Sequence, residues 1–366
     1  MTEREACIIF NMISGVGYGT YRKLEAHFGS PLAALTATPQ ELQEVPGIGE
    51  ALAARIAGWR GLVDFEGEMA FADANGVRIL TLRDEAYPEI LRQLYDPPLV
   101  LYIRGALPEF GNGNALTVVG SRRISRYGEE ITARLTADAV AAGMVIVSGL
   151  AMGADTVAHR TAVDNGGITV AVLGSGLARL HPAENVPLAR RIIETGGAVI
   201  SDFPLHFPAS RSSFPRRNRI VARLGDGVLV TECGIESGAM ITAGLAAEYG
   251  VVMAVPGRVD NPQSRGCHKL IKSGAALIED FADIAEAMGF GNLPLSDQPE
   301  PDGLDPRNGL PEDAAGLLAL LQEGEKSFDD LAAATGYDSG RLISLLTLLE
   351  LQLLVRHSAD QVYALR

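Results

Sequence analysis

An α/β fold organised around one doubly wound parallel sheet is what this sequence predicts, on three observations. From residue 115 onward, short apolar runs rich in β-branched residues recur at 116–119, 145–147, 169–173, 198–200, 228–230 and 251–255. Between them lie stretches of helical length and composition, at 127–142, 156–164, 188–194, 215–224 and 237–249. The apolar runs are continuous rather than alternating, which suits strands covered on both faces. Strands that alternate with helices of this length form right-handed crossover units, so the sheet is parallel and Rossmann-like. This core is expected to occupy residues 76–290.

In chain order, residues 1–75 read as a helical domain whose short helices are broken by glycines. Two stretches share a pattern, Ile13-Ser14-Gly15-Val16-Gly17 and Val45-Pro46-Gly47-Ile48-Gly49, and each opens a helix. They resemble the helix-hairpin-helix (SAM-like) module, which implies backbone N–H groups offered to a nucleic-acid phosphate. Tight turns between packed helices would need the same glycines, and Glu41, Glu44 and Glu50 stand where cations would help more. After the turn signal Asn75-Gly76 come a strand at 77–82, a short helix at 87–94 and a strand at 99–103, leading into the sheet. Residues 291–311 are rich in proline, glycine and acid and read as a linker. Residues 312–366 offer helical segments at 314–322, 328–335 and 339–349, then strand-like 353–356 and 361–365, the plan of a winged helix. A DNA-reading third helix would carry several cations. Here Arg341 stands among mostly apolar residues, so protein contact is expected instead.

Composition narrows the function. The chain has 366 residues, 47% hydrophobic and 21% charged, as in an ordinary globular protein. Its net charge of −14 argues against bulk attraction to nucleic acid. A local basic site is still allowed, because salt screens charge beyond about 10 Å. Cys7, Cys233 and Cys267 are too scattered for a metal cluster and odd in number for a disulfide framework, so no metal or cofactor is expected. Met1-Thr2-Glu3-Arg4-Glu5 lacks a basic start followed by an apolar run, and no apolar run approaches the ~20 residues of a membrane span. The expectation is a cytoplasmic protein without a membrane partner.

The stretch from Ser210 to Arg223 carries the candidate chemistry. Pro215 suits the first turn of a helix, and Ser212 or Ser213 can cap it. Arg216, Arg217 and Arg219 crowd that helix start, where the dipole already presents positive charge. Free N–H groups beside guanidiniums make an anion site, and Phe214 beside Arg211 offers a ring to an unstacked base. The plainer alternative is a solvated basic helix with Phe214 in the core. In an open α/β sheet, ligands gather outside the carboxyl ends of the strands. Glycine-containing loops fall there at Gly120-Ser121-Arg122, 148–155, 174–176 and 232–238. Such loops form anion nests, although tight βα turns favour glycine regardless. The dinucleotide fingerprint and the Walker loop are both missing. His159, His181 and His268 are isolated from any sequence-adjacent nucleophile, and His159 reads as a hydrogen-bonded core residue.

Taken together, Val118-Val119-Gly120-Ser121-Arg122, the loop from Ser148 to Asp155 with Ala158-His159, and Phe214-Pro215 with Arg217-Asn218-Arg219-Ile220 resemble the DNA-processing protein A (DprA/Smf) family. The segments at 237–243 and 254–257 extend the likeness, which covers residues 77 to about 285. The resemblance implies a non-enzymatic protein that binds and protects single-stranded DNA and loads the RecA recombinase during natural transformation. It implies phosphate binding by Gly120, Ser121 and Arg122, and a basic residue and stacking ring at Arg211 and Phe214. Arg217, Asn218 and Arg219 complete the expected DNA-binding set. It also implies a homodimer formed after the last strand, for which Leu270 and Ile278 are the apolar candidates, although both fit the core equally. Met152 stands where the family loop often has arginine, Asp202 replaces a more usual glutamate, and His181 a tyrosine. A rival of another class is a nucleoside-monophosphate phosphoribohydrolase on the same sheet plan. It would carry Pro-Gly-Gly-x-Gly-Thr-x-x-Glu where this chain runs Glu232-Cys233-Gly234-Ile235-Glu236-Ser237-Gly238-Ala239-Met240-Ile241-Thr242.

Overall fold

The computed structural model describes residues 1–290, 311–322, 324–351, 354–357 and 362–365; the expected linker at 291–311 lies, but for Pro311, outside them. The strands are β1 (Arg78–Thr81), β2 (Val100–Gly105), β3 (Ala115–Val119), β4 (Val145–Ser148), β5 (Thr169–Val172), β6 (Ala198–Ser201), β7 (Gly227–Val230), β8 (Val251–Ala254) and β9 (Ala276–Leu277). Among the described residues they form one sheet in the order β1-β2-β6-β5-β4-β3-β7-β8-β9. The run from β6 to β9 is parallel throughout, and β2 and β1 extend it antiparallel. The chain walks from β3 outward to β6, then crosses back to place β7 on the other side of β3. That reversal opens a crevice at the carboxyl ends of β3 and β7.

Both faces of the sheet are covered. Val119, Val147 and Val230 pack with Ile220 and Leu224 on one side, while Leu116, Ile146 and Leu229 pack with Leu135 and Ile284 on the other. Ile278 belongs to this second layer and is 0% exposed. Its burial corrects the assignment of this residue to a subunit interface, because nothing of its side chain reaches the surface. Leu270 is half-buried and packs against the first layer.

Helices Glu3–Met12, Tyr18–Phe28, Pro31–Thr36, Pro39–Gln43, Glu50–Ala57 and Phe65–Ala74 build the N-terminal region. Phe10, Leu24 and Trp59 share a core with Val100 and Tyr102 of β2. The buried Glu68 carboxylate accepts the Leu205 N–H at 2.7 Å, fastening this region to the segment after β6. The change at 75/76 is therefore one of secondary structure within a continuous core, and residues Met1–Gly291 form one compact unit.

The second unit, Asn292–Arg366, forms a winged helix over its described residues from Pro311 onward. Helices Glu312–Gln322, Phe328–Thr335 and Ser339–Leu351 bury Leu317, Leu331 and Leu346 against one another. Strands Lys326–Ser327, Val355–His357 and Val362–Leu365 pair antiparallel, with the last in the centre. Among the described residues no helix is long and apolar enough to cross a membrane.

Candidate nucleic-acid interface

The crevice at the strand reversal has a volume of about 620 Å³. Its walls come from the loops after β3, β4 and β7 and from the helix Ser213–Leu224 that follows β6. Of the expected residues, Gly120, Ser121, Arg122, Arg211, Phe214, Arg217 and Asn218 all line it. Arg219 does not.

The loop after β3 is braced from behind. A Cβ on Gly120 would stand 2.7 Å from the Ala154 Cβ and 2.9 Å from the Glu232 carbonyl, so only glycine lets loop and helix start approach this closely. The Ser121 N–H donates to that carbonyl at 2.6 Å. The Ser121 hydroxyl donates to Gln263 Oε1 at 3.2 Å and accepts the Arg123 N–H at 3.1 Å. Ser121 thus holds the loop in shape with groups already paired, and its arginines are the part left outside. Glu232 completes the brace: its carboxylate accepts the Ser125 N–H at 2.8 Å and the Ser125 hydroxyl at 2.6 Å, at the start of the helix Arg126–Ala141.

Phe214 lies between this loop and β5. The Arg122 guanidinium sits over its ring, 5.0 Å from the centroid, and the His181 ring is tilted at 6.0 Å. Gly174 forms the floor, since a Cβ there would come within 2.7 Å of Phe214 Cδ1. The helix beneath is set by Ser213, whose buried hydroxyl donates to the Gly174 carbonyl at 2.5 Å. Ser212 is the capping residue but makes no side-chain cap bond, and Pro215 falls in the first turn.

The arginines of this helix separate into different roles. Arg217 is 3% exposed. Its Nη1 donates to the Gly149 carbonyl at 2.6 Å and to that of Val172. Burial pulls its pKa down to about 10, and the buried Asp155 opposes that shift. Asp155 in turn accepts the Gly149 and Ala151 N–H groups at 3.1 and 3.3 Å, and burial pushes its carboxyl up against the pull of Arg217. The expectation that Arg217 faces phosphates is corrected: its cation is spent on backbone carbonyls that tie the second loop to β5. Arg219 donates to Asp202 Oδ2 at 2.9 Å and to the Asp96 carbonyl at 2.8 Å, and lines a smaller groove with Gly17, Tyr18 and Arg216. It is therefore removed from the crevice set. Asn218 is half-buried at the crevice, its Oδ1 3.3 Å from Arg217 Nε.

The cations that remain outward are Arg122, Arg123 and Arg211, all exposed and all lining the crevice. Arg123 was not among the expected residues; its place next to Arg122 on a tight loop was the available signal. Gln263, reaching in from beyond β8, had no local signal at all. His159 is wholly buried, its Nδ1 2.7 Å from the Thr169 hydroxyl, as a core histidine should be.

With that geometry in hand, known proteins are similar in the same regions. Protein Smf of Escherichia coli is 39% identical over 293 residues, covering 78% of this chain and 77% of that protein. The X-ray structure of DNA processing protein A from Streptococcus pneumoniae superposes with a TM-score of 0.63 at 29% identity, covering 78% of this chain and 98% of that one. A structure of DNA processing protein A from Helicobacter pylori, reported for its single-stranded DNA binding mode, matches with a TM-score of 0.50 at 27% identity, over 57% of this chain and 94% of that one. A SAM-like helix-hairpin-helix tandem matches residues 10–57, and a DprA winged helix domain matches residues 298–361. The model of the sheet domain itself matches residues 78–289, and on that extent the chain belongs to the DNA recombination-mediator protein A family, the DprA/Smf proteins.

Proposed function

We propose that this protein binds single-stranded DNA in the crevice at the carboxyl ends of β3 and β7, without chemistry of its own, and delivers the strand to the RecA recombinase. The observation that carries the reading is the juxtaposition of Phe214 with the exposed guanidiniums of Arg122, Arg123 and Arg211. Exposed arginines beside an aromatic ring suit a flexible strand, whose phosphates meet cations while a splayed base stacks. Duplex bases are already stacked and gain nothing from the ring. The DNA-binding relative from Helicobacter pylori supports the same assignment. Against the rival hydrolase, the stretch from Glu232 to Thr242 does not carry Pro-Gly-Gly-x-Gly-Thr-x-x-Glu. A homodimer through the β9 end belongs to the same proposal, with the half-buried Leu270 as the remaining apolar candidate there.

The test is a titration of the full chain with single- and double-stranded oligonucleotides at several salt concentrations. Preferential binding of the single strand is expected, followed by faster RecA filament formation on the protein-coated strand. Equal affinity for duplex, or robust base release from nucleoside monophosphates, would overturn the reading.

A further inference from the structure

Behind the crevice wall, Cys233 Sγ lies 4.0 Å from Cys267 Sγ and 3.6 Å from Met240 Sδ. Both thiols are wholly buried, whereas Met240 is only half-buried. The three come from different elements: the loop after β7, the helix Gly238–Ala246 and the helix Arg265–Lys272. The Gly266 N–H donates to the Cys233 carbonyl at 2.8 Å, and a Cβ on Gly266 would stand 2.4 Å from Cys233 Sγ, so the two cysteine backbones are locked together.

Metal–thiolate bonds are about 2.3 Å long, so sulfurs around a trigonal ion stand about 4.0 Å apart. The Cys233–Cys267 spacing matches that edge, and the Cys233–Met240 spacing is a few tenths shorter. We propose that Cys233, Cys267 and Met240 form a binding site for a soft monovalent ion, copper(I), held by sulfur alone. Zinc would want a fourth ligand and tolerates nitrogen and oxygen; thiolate with thioether selects copper(I). Among the described residues no group of three or more His, Cys, Asp and Glu is placed to hold a metal, so the third ligand proposed here is the Met240 thioether.

Charge balance is simple. Both thiols give their protons to solvent as their sulfurs bond the ion, since the thiolate is the ligand, so two thiolates and one monovalent cation leave a net charge of −1. The half-buried Met240 supplies the way in, its thioether passing the ion to the thiols beneath. Occupancy would tie the loop that continues into Gly234, a crevice residue, to the helix that follows Gln263, the partner of Ser121.

The experiment is an anaerobic titration of the reduced full chain with copper(I) buffered by the chelator bicinchoninate. The chain is expected to withdraw the ion from the chelator, show only sulfur neighbours at about 2.3 Å by X-ray absorption, and melt at higher temperature, since the ion binds the folded state. Cys233→Ser and Cys267→Ser lose the capture, Met240→Leu weakens it, and Cys7→Ser keeps it. Should a serine variant fail to fold, the titration and absorption spectrum of the parent chain decide alone. Copper left on the chelator, capture that survives Cys233→Ser, nitrogen or oxygen neighbours in the spectrum, or a Cys233–Cys267 disulfide without bound metal would each overturn the site.

Discussion

At the residue scale, arginines that look alike in sequence divide by what their guanidiniums touch. Arg211 and Arg122 are exposed at the crevice, whereas Arg217 is buried on the carbonyls of Gly149 and Val172. Phe214→Ala is expected to cost ~1–3 kcal/mol of single-strand affinity with an unchanged salt slope, because stacking releases no counterions. Arg122→Ala or Arg211→Ala should flatten that slope by about 0.7 per lost phosphate contact. Arg122 also stacks on Phe214, so a base can take that face of the ring only if the guanidinium leaves it. Arg217→Ala belongs to another class: it strands Asp155 and two carbonyls in the interior and should lower folding stability by about 3–5 kcal/mol. Chemical denaturation reads this directly, and a stable Arg217→Ala protein with weakened DNA binding would return Arg217 to the phosphate set. His159 gives the pH dependence. Burial lowers its pKa to about 3 from the ordinary 6.5, with Arg217 adding to the shift and a Ser148 backbone hydrogen bond opposing it. Between those values the unfolded chain binds the proton and the folded chain does not, so this residue's contribution is intact above 6.5 and falls as the pH drops toward 3. Asp155, pushed up by burial, works in the opposite sense. Melting across that range should show a shallower pH slope for His159→Gln than for the parent.

At the scale of elements, the helix Ser213–Leu224 shows what the sequence made legible and what it did not. Its existence, Pro215 in the first turn and the placement of Phe214 follow from local chemistry. The sorting of its arginines follows from helical period: Phe214, Arg217, Asn218 and Val221 are spaced to share one face and do line the crevice, while Arg216 and Arg219 turn toward the other groove. That signal was present in the spacing but masked by the sheer density of charge. The strands and their order of appearance were readable because continuous apolar runs suit a covered parallel sheet. The commitment of Ser121 to Glu232 and Gln263 was not, since each partner is distant in sequence and meets it only through the sheet order. Ile278 was unreadable for a related reason: an apolar residue after a short edge strand fits core and interface equally, and only packing decides. The floor under Phe214 offers an element-level test. Gly174→Ala sets a methyl 2.7 Å from Phe214 Cδ1, so the ring must move or tilt. Single-strand affinity should fall toward that of Phe214→Ala while the salt slope holds; unchanged affinity would show that the ring position does not govern binding.

At the scale of the whole molecule, a chain of net charge −14 can bind a polyanion only through a confined cationic patch. The patch is the crevice rim in the unit Met1–Gly291, where Arg122, Arg123 and Arg211 stand outward. In the winged helix, Arg341 pairs with Asp313 and Arg356 with Glu325, so these cations are already matched by acids of the same unit. If phosphates are held by the three rim arginines, binding to single strands should show a log–log salt slope of about −2 per protomer, at about 0.7 for each contact. Residues 292–311 are rich in proline, glycine and acid, so limited proteolysis is expected to cut there first and release a stable body ending near Gly291. That body keeps the crevice and its arginines, and should bind single-stranded DNA with the affinity and slope of the intact chain. A shallower slope after cleavage would mean that phosphates are also held by the winged helix, and first cuts inside the sheet would mean that the boundary is misplaced. Unchanged binding together with lost RecA loading would instead assign the C-terminal unit to a protein partner, as its apolar third helix suggests.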